Sequence, residues 1–187
     1  MIKREYRTIL IDPPWQERGG GRIKRGADRH YRLLSTPEII ATILRCELFR
    51  PAPSAHLYLW VTNNFLPDGL LVVQALGFHY KTLLTWAKDR FGLGQYFRGQ
   101  TEHMIFATRG PHLAAKAKNH STLIYAKRGR HSAKPEAAYE LIEAVSPAPT
   151  WNCLPAPHGQ AGTAGARRSS PGPGCLTAWR RMLLEPP

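Results

Sequence analysis

Tyr6-Arg7-Thr8-Ile9-Leu10-Ile11-Asp12-Pro13-Pro14-Trp15 (YRTILIDPPW) decides the fold: a short run rich in β-branched residues breaks off at an acid followed by two prolines. Proline has no N–H for a ladder, so a strand can reach Asp12 and go no further. Outward from that point, strand-like and helix-like patterns alternate. Residues 37–49 (PEIIATILRCELF) predict a helix with Thr36 as N-cap, Pro37 in its first turn, and Ile39, Ile40, Ile43 and Leu44 on one stripe. Strands are predicted over 56–62 (HLYLWVT), 80–87 (YKTLLTWA), 104–108 (MIFAT) and 123–126 (LIYA). Further helices are predicted over 65–76, closed by Gly77, and over 135–145. Such alternation implies an α/β domain on a largely parallel sheet.

The chain has 187 residues, enough for one domain with a proper core, and carries 26 Lys+Arg against 13 Asp+Glu for a net charge of +13. That excess favours a polyanionic partner, nucleic acid first. No apolar run approaches the ~18 residues of a membrane span, and the first residues lack a signal peptide's apolar core. Three scattered cysteines, Cys46, Cys153 and Cys175, form no CxxC or paired framework, so a reducing cytoplasm is the expected compartment. His30, His103 and His131 have no ligand partner at a regular spacing, and no metal site is expected. Residues 150–187 hold six Pro and five Gly and no Val or Ile, a composition expected not to supply a buried strand.

Asp12-Pro13-Pro14-Trp15 lies directly after a strand, where ligands gather in open α/β sheets. An exocyclic amino group on a base is a poor nucleophile, because its lone pair is delocalised into the ring. Two acceptors holding its N–H groups favour the pyramidal form that presents the lone pair. Asp12 can offer a carboxylate oxygen, and Pro13 a carbonyl held by the fixed proline φ. Trp15 can stack a base that has left its helix. The plainer reading of the same residues is a rigid turn with a core tryptophan.

DPPW after a short strand resembles the signature of the adenine-N6 methyltransferases related to the seventy-kilodalton subunit of mRNA adenosine methyltransferase (MT-A70-like), which has bacterial and phage members acting on DNA. The resemblance runs from about Tyr6 to Pro147, with further blocks in order. Tyr31 and Ser35-x-x-Glu38, Leu59-Trp60-Val61-Thr62, Trp86-Ala87-Lys88, Glu102-His103, and Arg130-His131-Ser132-Ala133-Lys134-Pro135 each match a family block. It implies a Rossmann-like sheet with helices on both faces, S-adenosylmethionine as methyl donor, and methylation of the N6 amino group of adenine, in DNA before RNA. Asp12, Pro13, Pro14 and Trp15 are then the catalytic residues, and Asp12, Pro14 and Lys134 the cofactor-binding ones. Trp15, Tyr31, Trp60, Lys88 and Glu102 are the substrate-binding candidates, although a tryptophan on an apolar strand is ordinarily core and a glutamate can simply pair with a nearby cation. The loop 16–34, with Gly19-Gly20-Gly21 and six basic residues, fits phosphate contact beside the turn; the alternative is a solvated loop.

Beyond Ser146-Pro147 the chain departs from the family, whose ending resembles Leu-Glu-Leu-Phe-(Gly/Ala)-Arg and then Pro-x-Trp. Codons for 150–166 read one base earlier permit Tyr-Leu-Glu-Leu-Phe-Ala-Arg-Thr-Ala-Arg-Pro-Gly-Trp, so the ending reads as out of frame. The organisation expected is a methyltransferase domain over 1–149, missing its last family strand, and an aberrant, disordered tail over 150–187. A non-catalytic nucleic-acid-binding relative and an inactive truncated product are the competing functions.

Overall fold

The computed structural model describes residues 4–16, 33–92, 94, 96–129 and 133–153. Strand β1 (Tyr6–Ile11) leads into helix α1 (Thr36–Arg45), then β2 (Pro51–Val61), a short 3-10 turn (Asn63–Phe65), α2 (Leu66–Ala75), β3 (His79–Lys88), β4 (Thr101–Arg109), β5 (Leu123–Ala126), α3 (Glu136–Val145) and β6 (Thr150–Cys153). The six strands form one sheet in the order β5-β3-β4-β2-β1-β6. Pairing is parallel in β1·β2, β1·β6 and β3·β5, while β4 runs antiparallel to both neighbours.

Two apolar layers explain the assembly. Ile9, Ile11, Leu57, Leu59 and Val61 point to one face and pack against Ile39 and Ile43 of α1 and Val72 and Val73 of α2. Leu10, Tyr58, Trp60, Met104 and Trp86 point to the other, where Ala138 and Ile142 of α3 cover them. The alternation of a strand delivers both sets. Helices thus lie on both faces, as expected of a Rossmann-like methyltransferase sheet. Glycine lets α2 come close: a Cβ at Gly69 would lie 2.5 Å from Val61 Cγ1 and 2.8 Å from Ile105 Cδ1. Gly69→Ala is therefore expected to cost about 1–3 kcal/mol by overpacking, seen as a lower urea midpoint at unchanged slope.

Helix α1 starts one residue earlier than expected. Ser35, not Thr36, is the cap, because the Glu38 carboxylate accepts from the Ser35 N–H (2.8 Å) and hydroxyl (2.7 Å). Strand β2 begins at Pro51, ahead of the expected 56, with Pro51 opposite Tyr6 at the sheet margin.

The largest departure is β6. The strand expected to be missing is present: Thr150–Cys153 pairs in parallel with Thr8–Ile11. Four residues suffice, because Trp151 and Cys153 alternate inward, both 1% exposed, and Trp151 packs on Phe49 at 5.6 Å. The Pro- and Gly-rich composition of 150–187 belongs to the residues after this strand. Thr8 Oγ1 also donates to the Pro147 carbonyl at 2.7 Å, guiding the chain from α3 into the sheet. The fit has a cost, since Trp151 Nε1 and Asn152 Oδ1 are buried with no hydrogen-bond partner among the described residues. Each such group costs about 1–3 kcal/mol. The expected tail, from 154 on, lies outside the described residues.

Topology places a crevice at one point. The chain leaves β1 through α1 on one face to reach β2, and arrives at β6 through α3 on the other face. The carboxyl end of β1 is thus a topological switch point, where open α/β sheets bind ligands. Asp12 stands there.

Candidate active site

The turn after β1 is built by its prolines. Asp12 makes the last contact with β6, its N–H donating to the Cys153 carbonyl at 3.0 Å. Pro13 and Pro14 then offer only carbonyls. The Pro13 oxygen accepts from Trp15 N–H and the Pro14 oxygen from Leu34 N–H, each at 2.9 Å, and an isolated bridge joins Trp15 to Leu34. The Pro13 carbonyl thus spends one of its two lone pairs inside the turn.

Trp15 is not placed as a platform for a base. The residue is 6% exposed, and its ring stacks on Phe65 at 5.4 Å and donates from Nε1 to the Trp60 carbonyl at 2.9 Å. Burial of an indole with its N–H satisfied is core packing. It locks the turn onto β2. Trp60 is likewise core, at 1% exposure.

On the α3 face, four ionisable side chains from four segments meet. Lys134, just ahead of α3, pairs with Asp12 Oδ1 at 3.2 Å and forms a short contact with Glu102 Oε1. Glu102 Oε2 in turn takes Lys88 Nζ at 2.9 Å. The result is a chain Lys88–Glu102–Lys134–Asp12 on an aromatic floor. Lys134 Nζ sits 5.0 Å from the Trp60 ring centre and Lys88 Nζ 4.8 Å from that of Trp86, and the two indoles meet edge to face at 6.3 Å. The side chains of Lys134, Asp12 and Glu102 are only 8%, 12% and 12% exposed.

The electrostatics separate the two acids. Burial pushes the Asp12 carboxyl up to about 6, against the pull of Lys134 and with help from the charge of Glu102. Burial works on Glu102 in the same direction, but Lys134 and Lys88 outweigh it and leave its carboxyl below the ordinary value. Lys134 stays firmly charged: burial opposes this, and Asp12 and Glu102 overcome it. Glu102 is therefore the fixed counter-charge and Asp12 the responsive acceptor, with Oδ2 left to bond beyond Lys134.

Thus Asp12, Trp60, Lys88, Glu102 and Lys134 come together, with Pro13 and Pro14 in the adjoining turn. Tyr31, the basic residues from 17 to 32, and Arg130, His131 and Ser132 lie outside the described residues. One contributor is quoted in the sequence only as part of a matched block and not as a site residue. Trp86 forms the floor under Lys88 and donates from Nε1 to the Ala126 carbonyl at 2.8 Å; its signal was the Trp-x-Lys spacing. A separate groove of about 1050 Å³ between α1 and α2 is lined by Ile40, Leu44, Phe65 and Leu71 among others, and includes none of the four ionisable residues. No helix among the described residues is long and apolar enough to cross a membrane.

Comparison with known proteins bears on the whole of this architecture. The chain is 27% identical over 164 aligned residues to the type II methyltransferase M.MunI of Mycoplasma sp, covering 78% of this chain and 70% of that relative. The MT-A70 family matches residues 6–154, from the first residue of β1 to one residue beyond β6, so the match takes in the strand expected to be missing along with every residue of the charged chain. Matched over four-fifths of its length, the chain belongs to the MT-A70 family of methyltransferases.

Proposed function

We propose that this protein methylates the exocyclic N6 amino group of adenine in nucleic acid, DNA before RNA, using S-adenosylmethionine. The observation that carries the reading is the Asp12 carboxylate at the switch point, ion-paired to Lys134 and raised to about 6. The related type II methyltransferase supports methyl transfer, and a net charge of +13 suits a polyanion such as nucleic acid.

The residues present fit the cofactor. Asp12, whose Oδ2 lies beyond its contact with Lys134, suits a sulfonium or an ammonium, and Lys134 suits a carboxylate. S-adenosylmethionine supplies an electrophilic methyl group. The protein's own part is to orient the amine. Asp12 accepts one N–H through its carboxylate, and the remaining lone pair of the Pro13 carbonyl can take the other. As the nitrogen gains positive charge, the carboxylate stabilises it and can take the proton it sheds.

Because the acceptor must be ionised, kcat/KM should fall on the acid side with an apparent pKa near 6. The deciding assay offers radiolabelled S-adenosylmethionine with DNA and with RNA, hydrolyses the polymer and separates its bases. Label in N6-methyladenine is the expected result; label on cytosine, or none on either polymer, overturns the reading. A non-catalytic relative is favoured by one feature, the departure of the residues after 153 from the family ending. Calorimetry with S-adenosylmethionine separates the two. The out-of-frame reading is part of the same proposal: it permits leucine, which has no polar side-chain atom, where Trp151 leaves an indole N–H unpartnered. Sequencing the gene across codons 146–152 tests it.

A further inference from the structure

The connection between β3 and β4 carries a feature that orienting an amine does not use. Of the nine large hydrophobic side chains exposed among the described residues, three crowd into positions 91–97: Phe91 at 62%, Tyr96 at 102% and Phe97 at 87%. Exposed Arg90 and Arg98 flank them. Three aromatic side chains left mostly in water within so short a stretch mark a contact surface. The base of this arch is well tied. Lys88 N–H donates to the Gln100 carbonyl and the Gln100 side-chain amide to the Lys88 carbonyl, both at 2.9 Å. Gly92 N–H donates to Gly99 at 2.6 Å, Arg98 Nε to the Gly92 carbonyl at 2.7 Å, and Arg128 N–H to Asp89 Oδ1 at 2.8 Å. Lys88, at its foot, is also the first member of the chain that ends on Asp12. The arch therefore springs from the edge of the candidate site.

We propose that this arch grips the nucleic-acid strand beside the target, with Phe97 and Tyr96 stacking on bases next to the target adenine and Arg90 and Arg98 meeting its phosphates. The inference rests on the reading of the protein as a nucleic-acid methyltransferase and adds the element that holds the substrate. Charge selects this occupant. The arch from 88 to 100 has three cations and one acid, with Lys127 and Arg128 exposed nearby. A second copy of a chain with net charge +13 would be repelled, whereas a phosphate backbone is attracted. Rings exposed on their faces suit unpaired bases, and extrusion of a target adenine leaves its neighbours' faces open.

The test uses the full chain and a fluorescent single-stranded DNA oligonucleotide containing adenine, with anisotropy titrations at several salt concentrations. Phe97→Ala should weaken binding roughly tenfold with the salt slope unchanged, and Phe97→Trp should retain it. Arg98→Ala should lower the magnitude of the slope by about 0.7. Thermal melts and light scattering accompany each variant. Wild-type affinity in Phe97→Ala overturns the proposal, as does a change of oligomeric state without a change in oligonucleotide binding. If the wild-type chain methylates nucleic acid while Phe97→Ala binds and reacts normally, only the arch is wrong. If Phe97→Ala weakens binding but no base is ever methylated, the arch stands and the methyltransferase reading falls. If the wild-type chain binds no oligonucleotide, both fall.

Discussion

Lys134→Ala is expected to lower stability by about 3–5 kcal/mol near pH 8, the cost of removing one partner from a buried ion pair. The side chain is 8% exposed and holds Asp12 and Glu102 at once, so its loss leaves two buried carboxylates facing each other. Both acids would then bind protons more readily in the folded state than in the unfolded one. The deficit should shrink as pH falls, and urea melts at pH 5 and 8 would show it. Adding Glu102→Gln removes one of the stranded charges and should restore part of the stability at pH 8. An equal loss at both pH values would mean that Lys134 matters only for its packing over Trp60. In the methyl-transfer assay, the acid limb of Lys134→Ala should move above its wild-type position near pH 6, because the main influence lowering the Asp12 carboxyl is gone.

Asp12→Asn should move stability and activity in opposite directions. Methyl transfer should drop by about 10²–10³-fold or more, since a neutral amide neither meets the amine's developing charge nor takes its proton. Stability near pH 8 should rise by about 1–3 kcal/mol. The Asp12 carboxyl titrates near 6 in the fold against an ordinary 3.8, so folding favours its protonated form. Its contribution is favourable below about pH 4 and is lost as pH rises through 6. Asparagine carries no charge across that window, so wild type and variant should differ at pH 8 and converge at low pH. An Asp12→Asn variant that melts lower than wild type at pH 8 would show that the Lys134 contact outweighs the burial of the acid.

The end of β1 was legible because proline chemistry is local: a residue without an N–H stops a ladder in any fold. The apolar stripe of α1 and the alternation in β2, β3 and β4 were legible for the same reason. The direction of β4 was not, since alternate residues face one way in a parallel or an antiparallel strand alike. Strand β6 is hidden in the sequence because the average composition of residues 150–187 masks the four that, with Trp151 and Cys153 turned inward, make the pairing. The out-of-frame reading forces leucine at 153 and permits it at 151, so either reading can keep the inward pattern.

By itself the sequence determined an α/β chain with a strand ending on Asp12, a basic excess that favours a polyanionic partner, and membership of its family. Tertiary structure alone decided that Trp15 locks the turn as core, and that Asp12, Glu102 and Lys134, widely separated along the chain, share one buried ion-pair chain. Local propensity reaches only a few residues, whereas burial and Coulomb contacts depend on which strands lie side by side.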